Sequence, residues 1–140
     1  MMTNPARTTR LRRRPAKCFA LAFTGAALFL TACSDEGPVS GPGTITATLV
    51  GPNGSEGAAV VSLLGDGIGS VSGVGNTSVH ARSGDSSLRV ILIDQTGGTL
   101  SFEVAVPDTT QPPAVVIHEV AGPDDALRPS VDGYTLEFAR

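Results

Sequence analysis

Four aspartates could serve as metal ligands, because they lie in or near the turns of the second part of the chain: Asp85, Asp94, Asp124 and Asp125. Calcium takes several oxygen ligands, which loops at the end of a β-sandwich can supply. The chain has no series of alternating Asp or Asn residues of the kind that forms a helical calcium loop. Aspartate also favours turns and keeps a surface soluble. We therefore expect no cofactor and no metal, with calcium at these four residues as the less favoured alternative.

Two histidines are the other groups that could act as an acid, a base or a ligand. His80 and His118 both lie in short segments of alternating polarity. Glu119 is adjacent to His118 in a predicted strand, which would place the two side chains on opposite faces. The chain has no nucleophile elbow, zinc-binding helix motif or phosphate loop. We therefore expect histidines on strand surfaces, no catalytic residues and no enzyme activity.

The first 33 residues have the three parts of an export signal. Residues 1–17 are basic and contain no acid, residues 18–30 are apolar, and small residues precede Cys33. The apolar run is shorter than the ~20 residues that a membrane-spanning helix needs. The pattern therefore predicts a helical signal peptide that is removed after export.

The segment Leu30-Thr31-Ala32-Cys33 resembles the lipobox of bacterial lipoproteins. The resemblance implies cleavage between Ala32 and Cys33 and a covalent lipid on the Cys33 thiol. An aspartate directly after the lipidated cysteine favours inner-membrane retention in some diderm bacteria, and Ser34 occupies that position here. We expect a protein that is lipid-anchored at the bacterial cell envelope, at the periplasmic face or the cell surface. The outer membrane is favoured if the cell is a diderm.

Charge is distributed unevenly along the chain. Four of the ten basic residues and all thirteen acidic residues follow Cys33, so that this part has a net charge of −9. Nucleic-acid binding requires a basic face, and we therefore expect no nucleic-acid partner.

The chain after the signal is a series of short apolar segments separated by turn residues. The predicted strands cover residues 44–49, 58–64, 68–74, 79–82, 88–93, 99–106, 114–120 and 134–139. Residues 58–64 are apolar on both faces, which is typical of a central strand. Phe102, Tyr134 and Phe138 are expected in the core. No segment has a helical period, and the spacing predicts an all-β fold, a single antiparallel immunoglobulin-like β-sandwich of about seven to nine strands.

The order of these segments also resembles cohesin-like bacterial sandwiches and small lipoproteins of uncharacterised function. In both, a strand like residues 58–64 precedes an Asp-Gly turn, and a later hairpin has segments like 88–93 and 99–106. The resemblance implies binding of a protein or carbohydrate partner through one sheet face.

The sequence therefore predicts three parts: a signal peptide over residues 1–32, a lipidated Cys33 with a flexible tether to residue 43, and a sandwich domain over residues 44–140. The expected function is that of a non-catalytic envelope protein that presents a binding or structural module. Its expected partners are the membrane, through the lipid, and an envelope protein or glycan. The alternative is a calcium-assisted carbohydrate-binding or adhesion module at the cell surface.

Overall fold

The computed structural model describes residues 40–140, which fold into eight β-strands without a helix. The strands are β1 (Gly43–Val50), β2 (Glu56–Leu64), β3 (Val71–Gly73), β4 (Ser78–Ser83), β5 (Ser87–Gly98), β6 (Ser101–Val106), β7 (Ala114–Ala121) and β8 (Thr135–Ala139). The predicted all-β fold is confirmed. The predicted signal peptide, the lipobox and Cys33 lie outside the described residues.

The strands form two antiparallel sheets of four strands each. One sheet has the order β3-β6-β1-β8 and the other the order β4-β5-β2-β7. Strand β2 lies between β5 and β7, which confirms that residues 58–64 form a central strand. The inner faces of the two sheets enclose one core, as in a β-sandwich.

Side-chain alternation along the strands builds this core. In β1, Ile45, Ala47 and Leu49 are buried, whereas Thr46 and Thr48 between them are partly exposed. Phe102 is fully buried, Tyr134 is buried, and Phe138 packs against the core, so the three aromatic side chains lie where the sequence predicts them. Burial of each large aliphatic or aromatic side chain stabilises the fold by about 1.5–3 kcal/mol. The sequence has no cysteine after Cys33, and this packing therefore holds the sandwich without a disulfide.

A β-bulge in β7 changes which face two of its side chains occupy. Val60 pairs with Glu119 and Val61 with Ile117, so that His118 is an extra residue opposite β2. Val60 lies between inward residues of β2, and its partner Glu119 therefore points outward with it. His118 also points outward, because its Nε2 atom lies 2.8 Å from Oγ of outward Ser62. The prediction that His118 and Glu119 lie on opposite faces is wrong, because a bulge resets the alternation.

A second irregularity lies where β2 meets the end of β5. Ala58 pairs with Ile93, but Glu56 pairs with Gly98. The predicted strand over residues 88–93 therefore continues through Gly97 and Gly98, which the sequence pattern places in a loop. Gly97 has a φ of 70°, and a Cβ atom there would lie 2.5 Å from Cβ of Pro123. Only glycine fits this conformation and this close approach without strain.

The described chain begins with residues that are fastened to the β6–β7 loop through Asp108. The carboxylate of Asp108 accepts hydrogen bonds from Ser40 Oγ at 3.0 Å and Gly41 N at 3.3 Å. It also accepts hydrogen bonds from the amide and hydroxyl of Thr110, at 2.8 and 2.7 Å. The Thr110 hydrogen bonds favour the charged form and are the main reason that the pKa of Asp108 is lowered to about 2. The last residues of the predicted tether are therefore held by the domain.

Among residues 40–140, no helix is long and apolar enough to cross a membrane.

The Asp108 network makes stability sensitive to acid. The pKa of Asp108 is about 2 in the folded chain and near 3.8 when the carboxylate lacks these hydrogen bonds, as in the unfolded chain. The contribution of Asp108 to folding stability is therefore complete above about pH 4 and is lost as the pH falls towards 2. Asp108→Asn is expected to lower stability at neutral pH and to flatten the change between pH 4 and 2. Denaturant midpoints followed by circular dichroism measure both effects. Asp66→Asn, at an exposed residue outside the network, is the control, and an equal flattening there would contradict the assignment.

Candidate functional site

A buried carboxylate lies at the end of the sandwich opposite Asp108. Glu56 is only 2 % exposed, although it is in phase with the outward residues Ala58 and Val60. The irregular register at the start of β2 accounts for this inward position. An unpaired carboxylate would be costly to bury, and the surrounding residues must therefore neutralise it.

Arg128, in the β7–β8 loop, provides the neutralising charge. Its Nη2 atom donates to Glu56 Oε2 at 2.8 Å, and its Nε atom donates to Oε2 at 3.0 Å and to Oε1 at 3.2 Å. The planar guanidinium thus bonds both carboxylate oxygens, which fixes the geometry as well as the charge. The arginine side chain is 24 % exposed, so that the pair lies at the boundary between the core and solvent.

Tyr134 and Asn53 complete the hydrogen bonding of this carboxylate. The Tyr134 hydroxyl donates to Glu56 Oε1 and accepts a hydrogen bond of 2.7 Å from Asn53 Nδ2. We call these four residues the Glu56 cluster: Asn53, Glu56, Arg128 and Tyr134. No buried side-chain nitrogen or oxygen in the described part lacks a hydrogen-bond partner.

The contacts within the Glu56 cluster raise the pKa values of Tyr134 and Arg128. Burial raises the pKa of Tyr134, and its hydrogen bond to Glu56 raises it further. The hydrogen bond to Glu56 raises the pKa of Arg128. Tyr134 therefore stays neutral and Arg128 stays charged at neutral pH. The cluster joins three distant parts of the chain, and its groups are occupied with one another rather than directed at a substrate.

The predicted calcium ligands are not gathered in one loop. Asp85 precedes β5, Asp94 lies within β5 nine residues later, about 30 Å away along an extended chain, and Asp124 and Asp125 are adjacent in the β7–β8 loop. Asp94 accepts hydrogen bonds from the amide and hydroxyl of Thr96, at 2.9 and 2.6 Å, and Asp124 accepts one from the amide of Ala126 at 3.4 Å. No group of three or more His, Cys, Asp or Glu side chains in the described residues could hold a metal. Calcium binding stays a prediction.

The histidines both lie on the outer face of the β4-β5-β2-β7 sheet. His80 is exposed on β4, and His118 is exposed on β7 beside Ser62. A serine and a histidine at this distance can form two parts of a nucleophilic triad, which also needs a group that orients the histidine. Within residues 40–140, no hydrogen bond joins His118 to a carboxylate. The pair can donate and accept hydrogen bonds on an open surface.

This outer face combines apolar and charged side chains, and we call it the β2/β5 face. It contains three of the exposed large hydrophobic residues of the described part, Leu64, Ile91 and Val116, each about 40 % exposed. Two of the four arginines that follow Cys33 are also on it, Arg82 and Arg89. Its defining residues are Val60, Leu64, Ile91, Ile93 and Val116, with His80, Arg82, Arg89, His118 and Glu119.

The outer face of the other sheet has a different composition. β1 presents Thr44, Thr46 and Thr48 to solvent, with Glu103 and Glu137 on the neighbouring strands. This face is hydroxyl-rich and acidic. The two outer faces of the sandwich therefore offer different chemistry, and the β2/β5 face is the one suited to contact another macromolecule.

An apolar cavity of about 390 Å³ opens between the edge strands β7 and β8. It is lined by Val115, Ile117, Val131, Tyr134, Thr135 and Leu136. Among the side chains that line this cavity, only those of Tyr134 and Thr135 carry a polar atom. The cavity is part of the open side of the sandwich.

The Glu56 cluster was not predicted from the sequence. By its position in the sequence, Glu56 follows a turn and alternates with the outward residues of β2. Its partners Arg128 and Tyr134 are 72 and 78 residues away from it. The one sequence signal is that a lone arginine occurs in an otherwise acidic loop, between Asp124 and Asp132.

Removal of the Tyr134 hydroxyl tests the stabilising role of the cluster. Tyr134→Phe keeps the buried ring but removes the hydroxyl's hydrogen bonds to Glu56 Oε1 and from Asn53 Nδ2. Because a hydrogen bond to a charged group contributes about 1.5–3 kcal/mol, we expect the free energy of unfolding to fall by about 2 kcal/mol. Denaturant unfolding measures the change. A loss below about 0.5 kcal/mol would show that the hydroxyl does not support Glu56.

Arg128 and Arg140 form a matched pair for the same question. Arg128→Ala leaves the buried Glu56 without its counter-charge, whereas Arg140→Ala removes an exposed hydrogen bond to Thr109 O. We expect Arg128→Ala to lower the melting temperature clearly more than Arg140→Ala. Equal effects would contradict the cluster.

The alkaline titration of the chain reports on Tyr134 directly, because it is the single tyrosine. Its folded pKa is raised above the usual 10.0, and the stability it contributes is therefore present below pH 10 and lost as the pH rises through the folded pKa. Phenolate absorbance is expected to rise at higher pH in the native chain than in denaturant. A native midpoint at or below the denatured one would refute this assignment.

No protein-family model, no curated protein and no solved structure matches this chain. Its function is therefore argued from its own residues.

Proposed function

We propose that this protein is a non-catalytic, lipid-anchored envelope protein that presents a β-sandwich interaction module. The observation that carries the interaction role is the β2/β5 face, where apolar side chains and most of the domain's free cationic groups lie on one open sheet surface. Contiguous exposed apolar surface with a polar surround is characteristic of interaction sites.

The lipobox-like segment supports the anchoring half of the proposal. The chain after Cys33 has a net charge of −9, and it is therefore repelled by anionic membranes and needs another means of attachment. Each buried CH₂ of an acyl chain contributes ~0.8 kcal/mol, and two or more chains give a stable anchor. The seven residue-to-residue steps from Cys33 to Ser40 span at most about 25 Å, which keeps the domain close to the lipid surface.

The proposed absence of catalysis is supported by how the polar groups are used. The buried acid Glu56 is satisfied by Arg128 and Tyr134, and Asp94 is satisfied by Thr96. The Ser62–His118 pair lies on an open sheet face rather than in a pocket that excludes water. These arrangements favour a structural or binding role.

The anchor is tested by Cys33→Ser. The hydroxyl cannot accept the thioether lipid, and we expect the protein to leave the membrane fraction or to accumulate as uncleaved precursor. Fractionation and intact-mass measurement distinguish the two. The matched control is Ser34→Ala, which leaves the thiol in place and is expected to stay membrane-bound. Normal processing and acylation of Cys33→Ser would overturn the proposal.

Retention of the purified protein on cell-wall polysaccharide, measured with and without a calcium chelator, distinguishes the glycan-binding alternative from the proposed function. We expect no retention in either condition. Retention that the chelator abolishes, and that Asp124→Asn weakens, would replace the proposed function with calcium-assisted carbohydrate binding.

A further inference from the structure

We infer that the β2/β5 face binds the same face of a second copy of this chain, about a two-fold axis parallel to the strands and between β2 and β5. The inference rests on the proposed function in that it names the partner of the proposed interaction surface. A two-fold interface uses the same surface on both copies, so that a residue that contacts a second residue of the partner is matched by the reciprocal contact, and the face must be complementary to itself.

The centre of the face is apolar. Ile91 of β5 is 41 % exposed and lies in register with Val60 of β2. The next outward pair along the same strands is Ile93 and Ala58. These four side chains form a contiguous patch across the two central strands, and its removal from water favours association.

The charges lie on opposite sides of this apolar centre. Arg82 is on β4 and Arg89 is on β5, whereas Glu119 is on β7. Three strand spacings, about 14 Å, separate Glu119 from β4 within one chain. The one salt bridge among residues 40–140 is that of Glu56 and Arg128. The charges of the face are therefore available to a partner.

Within a single chain, the cations are poorly placed. Arg82 and Arg89 are direct cross-strand partners. Like charges directly opposite each other destabilise a sheet. A partner that brings an acid to this corner of the face removes the repulsion.

A two-fold axis parallel to the strands matches both the apolar centre of the face and the charges on its two sides. It lays β5 of one copy over β2 of the other, so that Ile91 faces Val60 and Ile93 faces Ala58. It also lays β4 over β7, so that Glu119 of one copy faces His80 and comes within reach of Arg82 of the other. The aliphatic part of Arg82 then covers Val116. Twisted sheets pack in this aligned way at about −30°.

A two-fold axis perpendicular to the strands gives the opposite result. It lays each strand over its own copy, so that β4, with Arg82, faces β4 of the partner and no acid is brought to Arg82. It also directs the Ser40 residues of the two copies, where each chain joins its tether, to opposite ends of the pair. The parallel axis places both Ser40 residues at the same end, which allows two lipid anchors to insert into one membrane.

Charge exchange tests the arrangement. The lipidated full-length mature protein is studied by sedimentation equilibrium in density-matched detergent. We expect a concentration-dependent dimer that Glu119→Arg or Arg82→Glu alone weakens by ~10-fold or more. The combination of Glu119→Arg with Arg82→Glu restores the opposite-charge contact and is expected to return affinity to within ~3-fold of the native value. Arg82→Glu also removes the repulsion with Arg89, so that its loss of association is not due to unfolding.

Glu137→Arg is the matched control, because it makes the same charge change on the outer face of the other sheet. It is expected to leave the dimer unchanged. A native protein that remains monomeric at all concentrations, or a double variant that stays as weak as the single variants, would overturn the inference. Species larger than a dimer would indicate face-to-back stacking and would also overturn it.

A crosslinking experiment locates the contact in intact cells. Val60→Cys and Ile91→Cys variants are expressed together, because in one chain the two cysteines would pair with each other. We expect disulfide-linked dimers from the mixture and fewer from either variant alone. A higher yield of linked dimers from either variant alone than from the mixture would contradict this axis. A protein that is monomeric but membrane-bound would contradict only the inferred dimer. Release of the protein from the membrane with Cys33 intact would contradict the proposed lipid-anchored function.

Discussion

The buried carboxylate of Glu56 organises the end of the sandwich farthest from Ser40. A carboxylate that is 2 % exposed must be matched by a charge and by enough donors, since a buried charge without a partner strongly destabilises a fold. Arg128 supplies the charge and Tyr134 a further donor. Arg128 is held by β7 of the same sheet as β2, whereas Tyr134 directly precedes β8 of the other sheet. The carboxylate is therefore fully satisfied only when the two sheets have come together. The need to satisfy one acid therefore holds together the β1–β2 turn, the start of β2 and the β7–β8 connection.

The same contact explains why the long β7–β8 connection is ordered. Once Arg128 is fixed, its amide donates to Val120 O at 2.8 Å, and Gly122 N donates to Ala126 O at 2.9 Å. The isolated bridge between Ala121 and Leu127 belongs to this turn. Part of the free edge of β7 is thereby covered, which limits uncontrolled strand pairing. The neighbouring β2/β5 face remains open, and contacts with other molecules are directed to a face rather than to this edge.

The alternation of side chains accounts for what could be predicted from the sequence. Ile45, Phe102 and Leu136 lie on the inner faces because a strand has a period of two, and that period is visible in the sequence. The wrong prediction for His118 and Glu119 and the buried position of Glu56, which was not predicted, both arise at irregular pairings, where the period is interrupted. Glu56 is buried against its apparent phase, and Glu119 shares a face with His118. A bulge depends on the partner strand, and the local sequence therefore does not reveal it. The pairing of Glu56 with Arg128 depends on contacts across the whole domain and was inaccessible for the same reason.

The place where the tether joins the sandwich connects the fold with the proposed anchoring. Asp108 binds Ser40 and Gly41 at the end of the sandwich opposite the Glu56 cluster, so that a short tether leaves from a fixed point. Two copies related by an axis parallel to the strands share this end. Anchored in one membrane, they are already confined and partly oriented, and the entropic cost of association falls. A small face of four strands, with an apolar centre and one acid–cation contact on each side, is then sufficient for pairing. In the proposed anchored pair, membrane attachment would therefore strengthen the self-recognition of this face.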